Sequence, residues 1–298
     1  MEFIQQVING LAQGGIYSLI AIGWTTVYGI VGVMNWTHGE VYMLGGFAGF
    51  FLFNTFKMDF LPGLLVSMIV GSLLAMAIDQ FGYKPLRKIG MPRMAGFITA
   101  LGLSTLLRYS ATAVFTNDPQ AYRSDLLNHQ LITLFKVDGK DITVSSLHLY
   151  IFIGTLIIMA ALEIFLRRTI TGKAMLAASQ DMATLGLMGA DPEKLIKVTF
   201  AISGALGAAA GVFVGTIYAI NTMMGALAGL KGWSVAILGG IGNTTGSLLG
   251  GLLLGIAESL TAGFISTGYK DAIGFIIMIL VLLVKPTGLM GYKFEEKV

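Results

Sequence analysis

Long apolar runs separated by short polar breaks dominate the chain. Runs able to cross roughly 30 Å of hydrocarbon as helices occupy residues 7–31, 41–56, 61–83, 94–116, 149–166 and 198–220, and a last run covers 272–284. A glycine-rich apolar stretch lies between 223 and 264. The polar stretch 167–197, RRTITGKAMLAASQDMATLGLMGADPEKLIK, separates two of the runs. Within it, Ala174, Met175, Ala177, Ala178, Met182, Ala183, Leu185 and Leu187 predict a short amphipathic helix of small residues, with Gly186 and Gly189 as places to stop or turn. Such a helix has little to bury in lipid and is expected to dock into something. The alternative is an ordinary connecting loop.

Basic residues set the sides of the membrane. Lys84, Arg87, Lys88 and Arg93 form one cluster, Arg167, Arg168, Lys173, Lys194 and Lys197 a second, and Lys285, Lys293 and Lys297 a third. These twelve face six on the opposite side (Lys57, Arg123, Lys136, Lys140, Lys231 and Lys270), so the three clusters belong to the cytosol. The chain leaves the cytosol after Lys197 and is back by Lys285, which requires an even number of crossings between them. The stretch 223–264 is therefore expected to be two short segments, about 226–241 and 246–263, or a re-entrant hairpin. The same parity puts the N-terminus outside and the C-terminus in the cytosol, with about eight or nine membrane segments. The fold class is an all-α, polytopic transmembrane helical bundle. It forms one domain over 1–298, with a cytosolic loop at 167–197 and an extracytosolic loop at 117–148. The first run has no basic residue before it and is expected to be retained as a span.

Two polar interruptions stand out, GVMNWTHGE at 32–40 and GGIGNTTGS at 239–247. Non-helical backbone inside a bilayer is tolerated where it faces protein or a water-filled cavity. A broken segment in each half points to an inverted repeat with a translocation route between the halves. Asn35, Thr37, His38, Glu40, Tyr42, Asn243 and Thr244 are the candidate pathway residues, on the strength of their polarity at these breaks. The alternative is that both are tight interfacial turns. Ionisable residues inside the runs are His38, Glu40, Asp79, Arg108, Glu163 and Glu258. Asp79, Glu163 and Glu258 lie near segment ends, where snorkelling or pairing accounts for them. Arg108 is deeper, and is expected either to pair with Glu258 or to reach the outer headgroups.

Composition narrows the chemistry. With 55% hydrophobic residues, a mean hydropathy of +0.79 and 12% charged residues against about 25% in soluble domains, the chain belongs in a bilayer. The formal charge of +3 resides in residues flanking apolar runs, so it reports topology and not affinity for nucleic acid. There is no cysteine, which removes disulfides, thiolate metal sites and cysteine nucleophiles. Gly240, Gly242 and Gly246 miss the dinucleotide fingerprint by one place. Around Gly172 and Lys173, Arg167 and Ala174 stand where a phosphate loop needs Gly and Ser/Thr. No catalytic set, metal site or ATP site is expected on this chain. No graded line of carboxylates suggests ion coupling either. Many of the forty glycines are a packing signal, with Gly207, Gly211 and Gly215 at four-residue spacing.

Four blocks carry a resemblance: NGLAQGGIYSLIAIGWTTVYGIVGVMNWTHGEVYMLGG (9–46), GKAMLAASQDMATLGLMGADPEKLIKVTFAISGALGAAAGVF (172–213), GLKGWSVAILGGIGNTTGSLLGGLLLGIAESL (229–260) and KPTGLMG (285–291). Together they resemble the LivH-type permeases, membrane subunits of branched-chain amino acid ABC importers. The resemblance implies a multi-pass protein of the bacterial cytoplasmic (inner) membrane. It also implies a second, LivM-like permease subunit, two cytosolic ABC ATPases that use the ATP, an extracytosolic amino acid binding protein, and lipid contact throughout. A coupling loop for the ATPase maps onto 172–195, with Gly172, Ala177, Ala178, Asp181, Ala183, Gly186 and Gly189 as its residues. Related cargoes, such as urea, short amides or other amino acids, remain compatible with the same blocks. From a different class, a self-sufficient secondary carrier or channel also stays open.

Overall fold

The computed structural model describes residues 2–123, 125–127, 130–137 and 140–291. Lys293 and Lys297 of the third basic cluster lie outside the described residues, as do Ser124, Asn128, His129, Asp138 and Gly139 of loop 117–148. The chain runs through α1 (Glu2–Val31), α2 (His38–Phe50), α3 (Phe60–Ile78), α4 (Lys84–Lys88) and α5 (Arg93–Phe115). A hairpin of β1 (Leu131–Val137) and β2 (Lys140–Ser145) follows, and then come α6 (Ser146–Arg168), α7 (Ile170–Ala178), α8 (Met182–Leu187) and α9 (Pro192–Ile217). It ends with α10 (Met224–Gly239), α11 (Thr244–Phe264) and α12 (Lys270–Val284). A π-helical turn, Phe51–Thr55, prolongs α2, and another, Asp79–Tyr83, joins α3 to α4.

Seven of these helical stretches are long and apolar enough to cross a membrane, and α10 is a shorter apolar helix of 16 residues. With α2 and its continuation, the described residues hold nine apolar helical segments at the places the hydropathy pattern marks. The glycine-rich stretch 223–264 is two helices, turning at 240–243.

Small residues decide how these helices pack. An added Cβ at Gly14 of α1 would lie 2.7 Å from the carbonyl oxygen of Gly251 on α11, and one at Gly10 2.9 Å from that of Gly255. Increasing numbers on α1 meet decreasing numbers on α11, so the pair is antiparallel, with backbones in near contact as small-residue membrane interfaces allow. The pair α3 and α9 has the same design: a Cβ at Gly71 would lie 2.5 Å from the Gly204 carbonyl oxygen.

These seams reveal an inverted repeat. α2 packs parallel to α9, since His38 meets Gly207 and Gly46 meets Gly211, just as α10 packs parallel to α1, with Lys231 at Tyr17 and Gly242 at Thr25. α3 of the first half lies on α9 of the second, and α11 of the second lies on α1 of the first. The units α1–α2–α3 and α9–α10–α11 therefore exchange their third helices, with α5 beside α2 and α12 beside α10. Each unit is broken after its first helix, at 32–37 and at 218–223 respectively. The counterpart of the first break is thus 218–223, and not the GGIGNTTGS turn that the sequence pattern suggested. That turn closes the α10–α11 hairpin at the membrane edge, where glycine and asparagine suit a cap rather than a cavity.

Candidate functional site

The two breaks bring two helix N-termini together inside the bundle. α1 continues to Val31, yet the ring of His38, first residue of α2, sits against Gly23 and lies 6.4 Å from the Trp24 ring. The chain therefore reverses at Gly32 (φ 70°) and climbs back about 12 Å, or eight helical residues, before α2 starts. Asn35 holds this re-entry: its Oδ1 accepts from the Tyr83 hydroxyl at 3.0 Å and from Thr37 Oγ1. His38 Nδ1 lies 3.1 Å from Ser203 Oγ of α9. In the second half, Thr222 Oγ1 donates to Asn117 at 2.9 Å and accepts from Thr112 at 2.9 Å. Asn221 Oδ1 accepts from the Met223 N–H at 2.9 Å. α2 and α10 then cross at glycines, where a Cβ on Gly225 would lie 2.6 Å from the Gly39 carbonyl oxygen.

Helix N-termini carry partial positive charge, and a carboxylate meets them. Glu40, 1% exposed, lies in the first turn of α2, and one of its oxygens faces Gly225 at the start of α10. Its other oxygen accepts from Arg108 (2.5 and 3.1 Å) and from Ser104 at 2.9 Å, both on α5. Arg108 therefore pairs with Glu40 and not with Glu258 or outer headgroups, because α5 leans on α2. Tyr42, two residues on, is buried against α9. Asn35, Thr37, His38, Glu40 and Tyr42 thus share one interior region. Asn243 and Thr244 lie apart from it. Asn243 caps α11 through the Gly246 N–H (2.8 Å) and donates to the Met290 carbonyl (2.9 Å), and Thr244 opens that helix.

A second buried charge cluster links four helices. Lys231 Nζ on α10 donates to Glu258 on α11 at 2.8 Å and to the Tyr17 hydroxyl on α1 at 2.8 Å, and pairs with Asp271 on α12 at 2.7 Å. The Tyr17 hydroxyl in turn donates to Glu258 at 2.6 Å. Lys231 is 5% exposed, so it is no outer-surface charge as its place in the charge tally implied. Asp79 is likewise buried, and is bound by Arg87 at 2.6 Å. Glu163 pairs with Arg167 on the surface.

The stretch 167–197 folds as two short helices and not one. Thr169 caps α7 by accepting from the Gly172 N–H at 2.9 Å, and Gly172 presses against Phe165 and Leu166 of α6. Met175 and Ala178 are buried, while Ala177 faces outward. Asp181 caps α8 through the Thr184 N–H at 3.0 Å, and α8 contains Ala183 and Gly186. Gly189 turns the chain at φ 88° into α9. Large apolar residues stand exposed beside Lys173 and Gln180: Leu187 is 91% exposed, Met188 80% and Ile170 89%.

Residues 6–282 match the family described as "Branched-chain amino acid transport system / permease component". The chain belongs to that permease family. It is 37% identical to the high-affinity branched-chain amino acid transport system permease protein LivH of Salmonella typhimurium and to that of Escherichia coli K12, over all of this chain and 98% of each relative. Identity to BraD of Pseudomonas aeruginosa is also 37% over the whole chain. Among solved structures, PsaBC from Streptococcus pneumoniae in complex with Fab shares the fold at a TM-score of 0.52 with 14% identity, over 96% of this chain and 93% of that one. The LivH-type resemblance is thereby established over the full length.

Sequence reasoning missed two features of this permease-family chain. Lys231 lies inside the segment expected at 226–241, with Glu258 of opposite sign in the next, and that juxtaposition within an apolar hairpin was the available signal. The 218–223 break was hidden because Tyr218, Ala219 and Ile220 are apolar, and only Asn221 and Thr222, echoing Asn35 and Thr37, mark it.

Proposed function

We propose that this chain is a membrane-spanning permease subunit of an ABC importer that moves branched-chain amino acids across the bacterial cytoplasmic membrane. It sits with its N-terminus outside and its C-terminus in the cytosol. Two partner ATPases supply the energy, and the chain carries neither an ATP site nor any other catalytic centre. The observation that supports this reading is the pairing of a family match over residues 6–282 with a helix pair, α7 and α8, that leaves Ile170, Leu187 and Met188 exposed. Large apolar side chains left exposed on short helices between spans favour a protein partner. ATP binding closes the ATPase pair and displaces the α7–α8 loop. α9 follows directly from that loop and carries the displacement to the crossing of α2 and α10. A companion permease subunit, LivM-like, completes the pathway, and an extracytosolic binding protein delivers the cargo, so this chain need not hold it tightly. Asn35, Thr37, His38, Glu40 and Tyr42 line this chain's share of the gate.

Substituting Gly186 or Ala183 by Trp tests the coupling role. Uptake of leucine and stimulation of the ATPase are expected to be lost while the subunit remains in the membrane, and normal values for both would refute it. Leucine movement by the purified chain alone in liposomes without ATP would favour a self-sufficient carrier. A binding protein specific for urea or a short amide would change the cargo but not the machine.

A further inference from the structure

α3 and α6 stand on either side of α9 and leave a groove along the outside of the bundle. Its walls include Leu65 and Met68 of α3 with Ile157 and Ala161 of α6, and Ala201 and Ala205 of α9 form its floor. It holds about 710 Å³ and is lined almost wholly by carbon. From Phe60 to Met76 it follows α3 for about 24 Å at 1.5 Å per residue, most of a hydrocarbon core of ~30 Å. A carbon-lined groove of this length suits acyl chains, whose carbons pack against such walls at about 4 Å.

One end of the groove is charged. Lys194 and Lys197 line its mouth, both exposed, and Arg168 lies three residues beyond the groove-lining Phe165. Among the described residues none of the three is in an ion pair, whereas the neighbouring Glu193 is paired with Lys84 and Arg87. These cations belong to the basic cluster that charge asymmetry assigns to the cytosolic face. An inner-leaflet lipid reaches about 15 Å, half the core, from the lysines to the level of Met68, Ile158 and Ala205.

We propose that this groove is a binding site for one anionic phospholipid of the inner leaflet. Its phosphate rests on Lys194 and Lys197 and its acyl chains lie between α3 and α6. Because α9 begins directly after the α7–α8 loop, the lipid sits on the helix that leaves that loop. The binding claim itself does not depend on the importer reading, because it is measured on the chain without transport.

The test is native mass spectrometry of the purified full-length chain in mild detergent, offered phosphatidylglycerol or phosphatidylcholine with identical acyl chains. Phosphatidylglycerol is expected to be retained roughly tenfold better, as attraction of anionic lipid by two lysines implies. Lys194→Gln with Lys197→Gln, both at exposed positions, is expected to reduce that retention to the phosphatidylcholine level. Ala201→Trp, which fills the floor, is expected to remove both lipids. Equal retention of the two lipids by the parent chain would overturn the proposal, as would undiminished phosphatidylglycerol binding by the double Gln variant. A third readout addresses a protein occupant. Ile157→Cys, the sole cysteine of such a chain, is expected to react with a lipid-soluble maleimide in the membrane, and its cross-linking to a companion permease subunit would instead overturn the lipid assignment.

Discussion

At the scale of single residues, the buried charges carry the sharpest consequences. Lys231 holds two carboxylates, Glu258 and Asp271, together with the Tyr17 hydroxyl. Removing one member of a buried ion pair strands its partner and costs about 3–5 kcal/mol. Lys231→Met strands the buried Glu258 and takes the cation from the partly exposed Asp271, so it is expected to lower the melting temperature in detergent more than Glu258→Gln, which leaves Lys231 with Asp271. The double variant should recover part of the loss, and a Glu258→Gln chain less stable than Lys231→Met would contradict this geometry. Glu40→Gln keeps the side chain's shape but removes the charge at the crossing of α2 and α10. It is expected to cut uptake at least tenfold at an unchanged membrane level, and unaltered uptake would remove Glu40 from the gate. Outside the spans, Tyr122 donates to the Gly46 carbonyl at 2.7 Å, and burial pushes its phenol well above the ordinary 10.0. A raised acid stabilises the fold fully below its unfolded value and loses that contribution only as pH rises past it. Stability from this bond is therefore expected to be flat up to about pH 9, with Tyr122→Phe costing ~1 kcal/mol throughout.

Among the elements, glycine seams set which helices pair. Gly14 and Gly255 interlock α1 with α11 at backbone contact, so Gly14→Val is expected to destabilise by ~1–3 kcal/mol, as overpacking does. Gly102 on α5 has nothing within 4 Å of its missing Cβ, so Gly102→Ala should stabilise the helix by up to ~1 kcal/mol. Thermal unfolding of the two variants checks both, and equal effects would mean the seams are not close-packed. Helix positions were legible in the chain because apolar runs and basic clusters are local properties. The split of 223–264 followed from charge parity alone. Which break matched which was not legible. Repeat symmetry is a property of packing, and the re-entry at 218–223 carries only Asn221 and Thr222 as polar marks. Arg108 posed the same difficulty, since its partner was set by α5 leaning on α2 and not by spacing along the chain.

For the whole molecule, the proposed mechanism takes the inverted repeat, with its broken helices crossing inside the bundle, as the moving element and the α7–α8 pair as its handle. The handle's polar caps and turning glycines could be read from residues 167–189. Its division into two helices, with Leu187 and Met188 left uncovered, emerged only from the fold. Sidedness tests the central claim most directly. In this cysteine-free protein, Leu187→Cys provides a single reporter for a membrane-impermeant maleimide. Labelling is expected only after the inner membrane is opened, and to be suppressed when the ATPase subunits are present. Labelling of intact cells would place the loop on the wrong side of the membrane and contradict the coupling of this permease to a cytosolic motor.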